Sequence, residues 1–351
     1  MPGGHDPDGP GPGSAAHGPA RVIAVLVTYN RRQLLLEALA AVHSQSRAPD
    51  AVIVVDNASA DDTAAAVRSQ YPTAELAVLA RNTGGAGGFA YGMALALASA
   101  ADLVWLMDDD TVPGPHALRA LLEARHGHPG RPPTLVASRV LWTDGRLHPM
   151  NTPRAKPFAA KAERIAAAAT GCIPIRSASF VSVLADAAVC RQRGLPQAGY
   201  FLWNDDFEYT ARLLRGNVGL LCPASVVVHK TAAFGSTDAD PGQRFFYEVR
   251  NKVWTLRAAS SLAAAERVLY GGSTLRRWAR TFARSGDRRG LGVSLLRGIA
   301  AGVLTRPRRT EDILASVGLG LPAETTGRRH GRRISRQAGR GGGRSSASGR
   351  N

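Results

Sequence analysis

Three consecutive carboxylates, Asp108, Asp109 and Asp110, follow the apolar run Leu103-Val-Trp-Leu-Met107. Carboxylates this close repel one another unless a cation neutralises them, and Mg2+ or Mn2+, which prefer oxygen ligands, also bridge to substrate phosphates. Taken alone, the triplet reads as a solvated acidic turn or a helix cap before Pro113. The buried strand directly ahead of it favours a metal site. A second acidic group, Asp205 and Asp206 within Trp203-Asn-Asp-Asp-Phe-Glu208, opens a predicted helix. Acids at that position cap a helix and suit its dipole. They also suit a general base, because grouped carboxylates push one pKa upward, as a base near neutral pH requires. His229 ends an apolar strand ahead of Lys230. A lone histidine is usually a packed structural residue, and only the company of the triplet makes it a candidate third metal ligand.

Glycines invite a different chemistry. Gly85-Ala-Gly-Gly-Phe-Ala90 fits G-x-G-x-x-A, the dinucleotide fingerprint. That fingerprint belongs after a first strand, with an acid about 20 residues on at the end of the second. Here it follows the third expected strand, and the stretch at that distance is the acidic triplet itself. A nicotinamide oxidoreductase is therefore rejected, and the glycines read as places where backbone approaches a ligand or the sheet. No Gly-x-Ser-x-Gly occurs to suggest a serine nucleophile.

These groups need a scaffold. Val22–Val27 is a buried strand, followed by a helical pattern with Leu35, Leu39 and Val42 on one face. Ala51–Val55 is a second strand, and Ser59 is placed to cap a helix over 61–69. A weaker strand over Glu75–Ala80, a helix near Gly85–Ala98 and the strand Leu103–Met107 complete four strand–helix repeats. Strands that are apolar throughout, joined by helices, imply an α/β fold with a mostly parallel sheet covered on both faces. In such sheets ligands bind beyond the carboxyl ends of the strands. Tyr29-Asn30, Asp56-Asn57 and the triplet all fall at those ends. Further on, Ser179–Ala185 reads as a strand, 205–215 as a helix with Phe207, Ala211 and Leu214 inward and Glu208 four before Arg212, and 218–228 as a strand broken at Pro223. Residues 244–257 read as a helix with Phe246, Val249, Val253 and Leu256 inward and Glu248 four before Lys252.

The 351 residues carry a formal charge of +17, unevenly spread. From Gly272 onward 18 arginines face four acids, Asp287, Glu311, Asp312 and Glu324. Arginine-rich ends bind polyanions or remain solvated, and the near-balance elsewhere argues against a specific nucleic-acid binder. The division expected is a disordered leader over 1–20, an enzyme domain over 21–257, a basic helical extension over 258–324, and a disordered Arg/Gly/Ser tail over 325–351. The leader has no apolar segment of a signal peptide. No run long enough to span a bilayer occurs, and 291–304 reads as a short interfacial helix. Three scattered cysteines, Cys172, Cys190 and Cys222, support neither a disulfide framework nor a zinc ribbon.

Val25-Leu-Val-Thr-Tyr-Asn30, Val54-Val-Asp-Asn-Ala-Ser59, Asn82-Thr-Gly-Gly85, Trp105-Leu-Met-Asp-Asp-Asp110 and Trp203-Asn-Asp-Asp-Phe-Glu208 together resemble family 2 glycosyltransferases of the GT-A fold. The resemblance spans about residues 21–257, and Asn82–Phe89 with Phe245–Asn251 look most like bacterial galactofuranosyl- and rhamnosyltransferases. It implies an inverting, metal-dependent transfer from a nucleotide sugar, UDP-galactofuranose or dTDP-rhamnose, to a glycan or lipid-linked acceptor of the cell envelope. Thr28 and Asp56 would hold the nucleotide, with Tyr29, Asn30, Asn82, Gly84, Gly85 and Asp109 around the donor. Asp108, Asp110 and His229 would hold Mg2+ or Mn2+. Asp206 matches the catalytic base. Asn204, standing between Trp203 and the acids where some relatives have Trp directly before them, leaves Asp205 open for that role. Such an enzyme would dock from the cytoplasm on the inner face of the plasma membrane through its basic C-terminal region. The rivals are a metal-dependent nucleotidyltransferase, although no glycine-rich phosphate loop follows the first strand, and a non-catalytic polyanion-binding protein.

Overall fold

The computed structural model describes residues 19–232, 234–235, 241–258 and 260–322. Most of the expected leader and all of the expected tail lie outside them. In chain order the first half runs β1 (Val22–Thr28), α1 (Arg32–His43), β2 (Ala51–Asp56), α2 (Thr63–Gln70), β3 (Glu75–Val78), α3 (Gly84–Ala98), β4 (Leu103–Asp108), β5 (Thr111–Pro113), α4 (Ala117–His126) and β6 (Leu135–Leu141). The second half runs β7 (Arg154–Ala155), α5 (Lys161–Ala168), β8 (Ile173–Ser177), β9 (Val183–Asp186), α6 (Ala187–Arg193), α7 (Asp205–Leu213), β10 (Gly219–His229), α8 (Phe245–Arg257), α9 (Ala264–Arg284), α10 (Arg288–Leu304) and α11 (Thr310–Ala315).

The sheet has the order β3-β2-β1-β4-β9-β6-β10-β8-β7, with β5 pairing β10. β3, β2, β1 and β4 are parallel, the arrangement their continuous apolar sequences require. β9 enters antiparallel between β4 and β6, and β6 pairs β10 in parallel. Pro223, which cannot donate to a ladder, falls in a register shift between Cys222 and Val226. The alternate residues of β1 face two cores. Val22, Ala24 and Leu26 pack with Leu35, Leu39 and Val42 of α1, while Ile23, Val25 and Val27 pack with Phe89, Met93 and Leu97 of α3. All three cysteines are free and buried.

Two local expectations are corrected. α2 starts at Thr63 rather than 61, because Ser59 Oγ accepts the Asn30 N–H (2.9 Å) instead of capping the helix. The fully buried residues of α8 are Phe245, Val249, Asn251, Lys252, Trp254 and Thr255, while Phe246, Val253 and Leu256 are only half-buried. That helix is covered on two sides. α10 lies along it through Gly298 and Gly302, where an added Cβ would come within 2.7 Å of Val249 Cβ and 2.6 Å of Val253 Cβ. The boundary at 257 falls between α8 and α9, and α9 packs back on the sheet half. Tyr270 meets Phe207 edge-on (5.3 Å), and Glu266 pairs with buried Arg176 (2.6 Å).

Candidate active site

The carboxyl ends of β1, β2 and β4 lie side by side, with Thr28 in register with Asp56 and Val27 with Asp108. Asp109 and Asp110 are buried as the chain leaves β4, and His229 reaches them from the end of β10. β5, paired with the last residues of β10, fixes this approach, since Thr111 stands opposite His229. One ligand atom each from Asp108, Asp110 and His229 falls within a 4.8 Å group. His229 Nε2 is 2.8 Å from an Asp110 oxygen. Its Nδ1 is 2.9 Å from Asn151 Oδ1, an acceptor that fixes the proton on Nδ1 and turns Nε2 toward the carboxylates. An imidazole nitrogen and a carboxylate oxygen 2.8 Å apart share either a proton or a bound cation, and this O/N donor set is one that Mg2+ or Mn2+ accepts.

The electrostatics agree. Burial, then the Asp110 charge, pushes Asp108 up to about 7. Burial lifts Asp109 to about 6 although Arg31 opposes it. Burial alone would lower His229, but the adjoining Asp110 carboxylate outweighs it and holds the imidazole above its ordinary value.

Arg31, which carries no role in the sequence reading, bridges Asp109 Oδ1 (3.1 Å) and Asp110 Oδ2 (2.6 Å). The Tyr29 amide donates to the other Asp109 oxygen (3.3 Å). Asp56 Oδ2 is a buried polar atom without a hydrogen-bond partner among the described residues, while the buried Thr28 hydroxyl lies beside Asp109 and favours its charged form. Buried polar groups are normally satisfied, so Asp56 Oδ2 is available to a ligand. Tyr29 is 44% exposed, and Asn30, in a left-handed conformation, accepts the Ala60 N–H (2.7 Å). Asn57 was read only as part of a polar strand end. Its buried amide donates to Gly84 O (2.7 Å) and accepts the Thr83 N–H (2.8 Å), tying β2 to the glycine segment. Asn82 accepts the Gly84 N–H (2.7 Å). Gly84 has φ +74, and an added Cβ would stand 1.9 Å from Phe201 O, so close backbone packing demands the glycine. Gly85 is open, with nothing within 4 Å.

Asp205 and Asp206 begin α7 opposite this group. The Asp206 charge raises the Asp108 pKa and the Asp108 charge raises that of Asp205, so the two acidic groups share one field. Burial, then Asp206, drives Asp205 well above the carboxylate range. Asp206 is also raised by burial, but the Phe207 N–H (2.6 Å) and the Lys252 and Arg154 charges restrain it. Lys252 and Arg154 both lie over the Phe207 ring, at 4.2 and 5.5 Å, and burial depresses Lys252 to about 7. Sequence spacing paired Glu248 with Lys252. In the structure Glu248 accepts instead from Asn204 (2.6 Å), Trp278 Nε1 (3.2 Å) and Arg277.

Comparison with known proteins decides the family. The model of glycosyl transferase family 2 matches residues 23–131. Over 280 residues the chain is 31% identical to galactofuranosyltransferase GlfT1 of Mycobacterium tuberculosis, covering 71% of this chain and 87% of that protein. The chain belongs to glycosyltransferase family 2. A shorter match, 47% identical over 108 residues, covers 30% of this family 2 chain and 36% of the galactofuranosyltransferase GlfT1 of Mycolicibacterium smegmatis. The fold is the GT-A glycosyltransferase fold. Staphylococcus aureus TarS 1–349 in complex with UDP superposes with a TM-score of 0.53 at 15% identity, covering 78% of this chain and 75% of that one. Full TarS gives 0.55 at 16% identity, covering 84% and 50%. The enzyme reading over a non-catalytic binding module therefore stands.

Proposed function

We propose that this glycosyltransferase moves a sugar, with inversion, from a nucleoside-diphosphate donor to a hydroxyl of a lipid-linked or polysaccharide acceptor in cell-envelope glycan synthesis. UDP-galactofuranose is favoured over dTDP-rhamnose because the relatives matched above are named galactofuranosyltransferases. The observation that carries the reading is the meeting of an Asp108–Asp110–His229 cation site with the Asp205–Asp206 pair in one field.

Thr28 Oγ1 and the unpaired Asp56 Oδ2 bind the nucleoside, and Asn57 holds the glycine segment against them. Arg31 faces the donor diphosphate beside Asp109 and Asp110. Asp108, Asp110 and His229 hold Mg2+ or Mn2+, which when bound supplies Lewis-acid stabilisation of the departing diphosphate. Asp206 takes the proton of the acceptor hydroxyl as its oxygen attacks the anomeric carbon. The new glycosidic bond forms as the sugar–phosphate bond breaks on the opposite face. Asp206 is the better base of the pair because it is less buried and two cations favour its ionised form, whereas Asp205 is driven further toward protonation. Orientation and fixed charge supply most of the rate.

The same reading places the chain against an anionic membrane. No helix among the described residues is long and apolar enough to cross one. The outer faces of α9 and α10, however, expose Val268, Leu275, Val293, Leu296, Val303 and Leu304, each more than half exposed. Arg276, Arg289, Arg297 and Arg306 are exposed around them. Exposed apolar side chains with arginines among them in the sequence fit an anionic leaflet, where each basic residue contributes about 1 kcal/mol. A panel of nucleotide sugars scored by nucleoside diphosphate release, with Mg2+ or Mn2+ and a lipid-linked acceptor, tests the function. Acceptor-dependent turnover of UDP-galactofuranose is expected. Turnover of no nucleotide sugar refutes it.

A further inference from the structure

The segment joining the donor side to the acids is built against its own backbone preference. Phe201, Trp203 and Asn204 all have positive φ, at 64°, 64° and 63°, although none is glycine. Phe201 has ψ −60, and the Leu202 N–H donates to Tyr200 O at 2.7 Å, closing a tight three-residue turn. That turn form is rare and strained, and non-glycine residues in the left-handed region persist only where the surroundings over-determine them. Asp205 and Asp206 follow directly, with Asn204 at the cap position of α7.

The restraint comes from α8. Asn251 is fully buried, and three carbonyl oxygens converge on its amide nitrogen: Tyr200 O (2.9 Å), Leu202 O (2.8 Å) and Trp203 O (2.8 Å). Its own Oδ1 accepts from Arg250 Nε (3.0 Å), which fixes the amide with its nitrogen toward the loop. Arg250 also donates to Tyr200 O (2.9 Å). From the other side the Ala86 N–H donates to Phe201 O (3.3 Å), the atom against which Gly84 packs. The strained loop is thus gripped between α8 and the start of α3.

We propose that Asn251 is the positioning residue of the acceptor-side acids. By holding Tyr200–Trp203 in the strained turn it aims Asp206 at the acceptor hydroxyl, and it touches neither substrate. This rests on Asp206 being the base, as proposed above. An amide donor is needed because every partner is a carbonyl oxygen. Alanine leaves those acceptors empty, and aspartate sets a carboxylate against them.

The test uses the full chain with Asn251→Ala and Asn251→Asp. Both are expected to lower kcat for transfer about 10²-fold, the cost of a misplacement near 1 Å, while the Kd for UDP with Mn2+ stays within about twofold, since Thr28, Asp56, Asp108, Asp110 and His229 sit at the ends of β1, β2, β4 and β10 and, among the described residues, the Asn251 side chain bonds only to the loop and to Arg250. Amide exchange over residues 200–204 is expected to speed up in both. A kcat within about threefold of wild type, or a loss of UDP affinity equal to the loss of kcat, overturns the proposal. If neither variant folds, Arg250→Met is read the same way, with about a tenfold loss of kcat expected from the freed amide. Should the wild-type chain turn over no donor, the function fails while the clamp remains readable: unchanged exchange at 200–204 in the variants refutes it alone.

Discussion

Removing divalent metal should make the stability of this protein fall as pH rises, and Asp108 sets the size of the effect. Its carboxyl stands at about 7 against an ordinary 3.8. Three pH units at about 1.4 kcal/mol each come to about 4 kcal/mol. The sign follows from proton binding. Between about pH 4 and 7 the folded metal-free chain keeps a proton that the unfolded chain has lost, so stability drains away as pH rises through that window. Asp109, lifted to about 6, adds in the same direction, and so does His229, also raised: its contribution is present below its ordinary 6.5 and is lost as pH passes its folded value. Asp110, which is lowered, loses its contribution only under more acidic conditions than these. About two of those units, or about 3 kcal/mol, fall above pH 5, so with about 2.1 cal/mol/K of unfolding entropy per residue Asp108 alone gives a Tm drop of about 4 °C in a chain of this length between about pH 5 and pH 8. Saturating Mn2+ replaces those protons, so its stabilisation should be larger near pH 8 than near pH 5. Calorimetry of the EDTA-treated full chain with and without Mn2+ measures both slopes. Asp108→Asn should raise the metal-free Tm at the higher pH and abolish most of the Mn2+ shift. A Tm shift by Mn2+ that is equal at both pH values, or that survives in Asp108→Asn, refutes the reasoning.

Asp206→Asn keeps the acceptance from the Phe207 N–H but cannot take a proton, so kcat should fall by about 10² to 10⁴-fold with UDP–Mn2+ affinity retained; an active Asp206→Asn beside a dead Asp205→Asn would exchange their roles. Because Asp206 is raised, activity should be lost as pH falls through that raised value, and the acid limb of the kcat profile should vanish in Asp206→Asn; a limb that persists assigns the titration elsewhere. Gly84→Ala would set a methyl 1.9 Å from Phe201 O at φ +74, so it should cost both stability and kcat, read by Tm and turnover. Leu296→Asp with Leu304→Asp should abolish sedimentation with anionic liposomes at low salt while donor hydrolysis continues. Equal binding by the variant removes the membrane assignment.

Much of the donor side was legible in the sequence. β1, β2, β4 and the start of α3 announce themselves because buried parallel strands are apolar throughout and end in polar clusters. The Glu208–Arg212 spacing likewise gives a real pair, at 3.0 Å inside the core. The acceptor side was less legible for a physical reason. Spacing along α8 pairs Glu248 with Lys252, and the two charges do favour each other, yet Asn204, Arg277 and Trp278, which no spacing along α8 reveals, are the donors that reach Glu248. Arg31 gave no signal, since an arginine after a strand is ordinary until the fold brings Asp109 and Asp110, some eighty positions away, against it. The strain at Phe201 and Trp203 is invisible in composition, because neither is a residue type that favours positive φ.

The grip of α9 on Glu248 orders events during synthesis. Strands β1 to β4, with Thr28, Asp56 and Asp108, emerge from the ribosome before His229 at the end of β10, and that before Arg277 and Trp278, which reach Glu248 and through it Asn204 beside the acids. A domain folds as a unit, and β9 pairs with both β4 and β6, so the sheet that carries Asp108 closes only after residue 186 has emerged. The strand ends and the two acidic groups are therefore expected to be completed together, with the residues that hold Glu248 among the last to join.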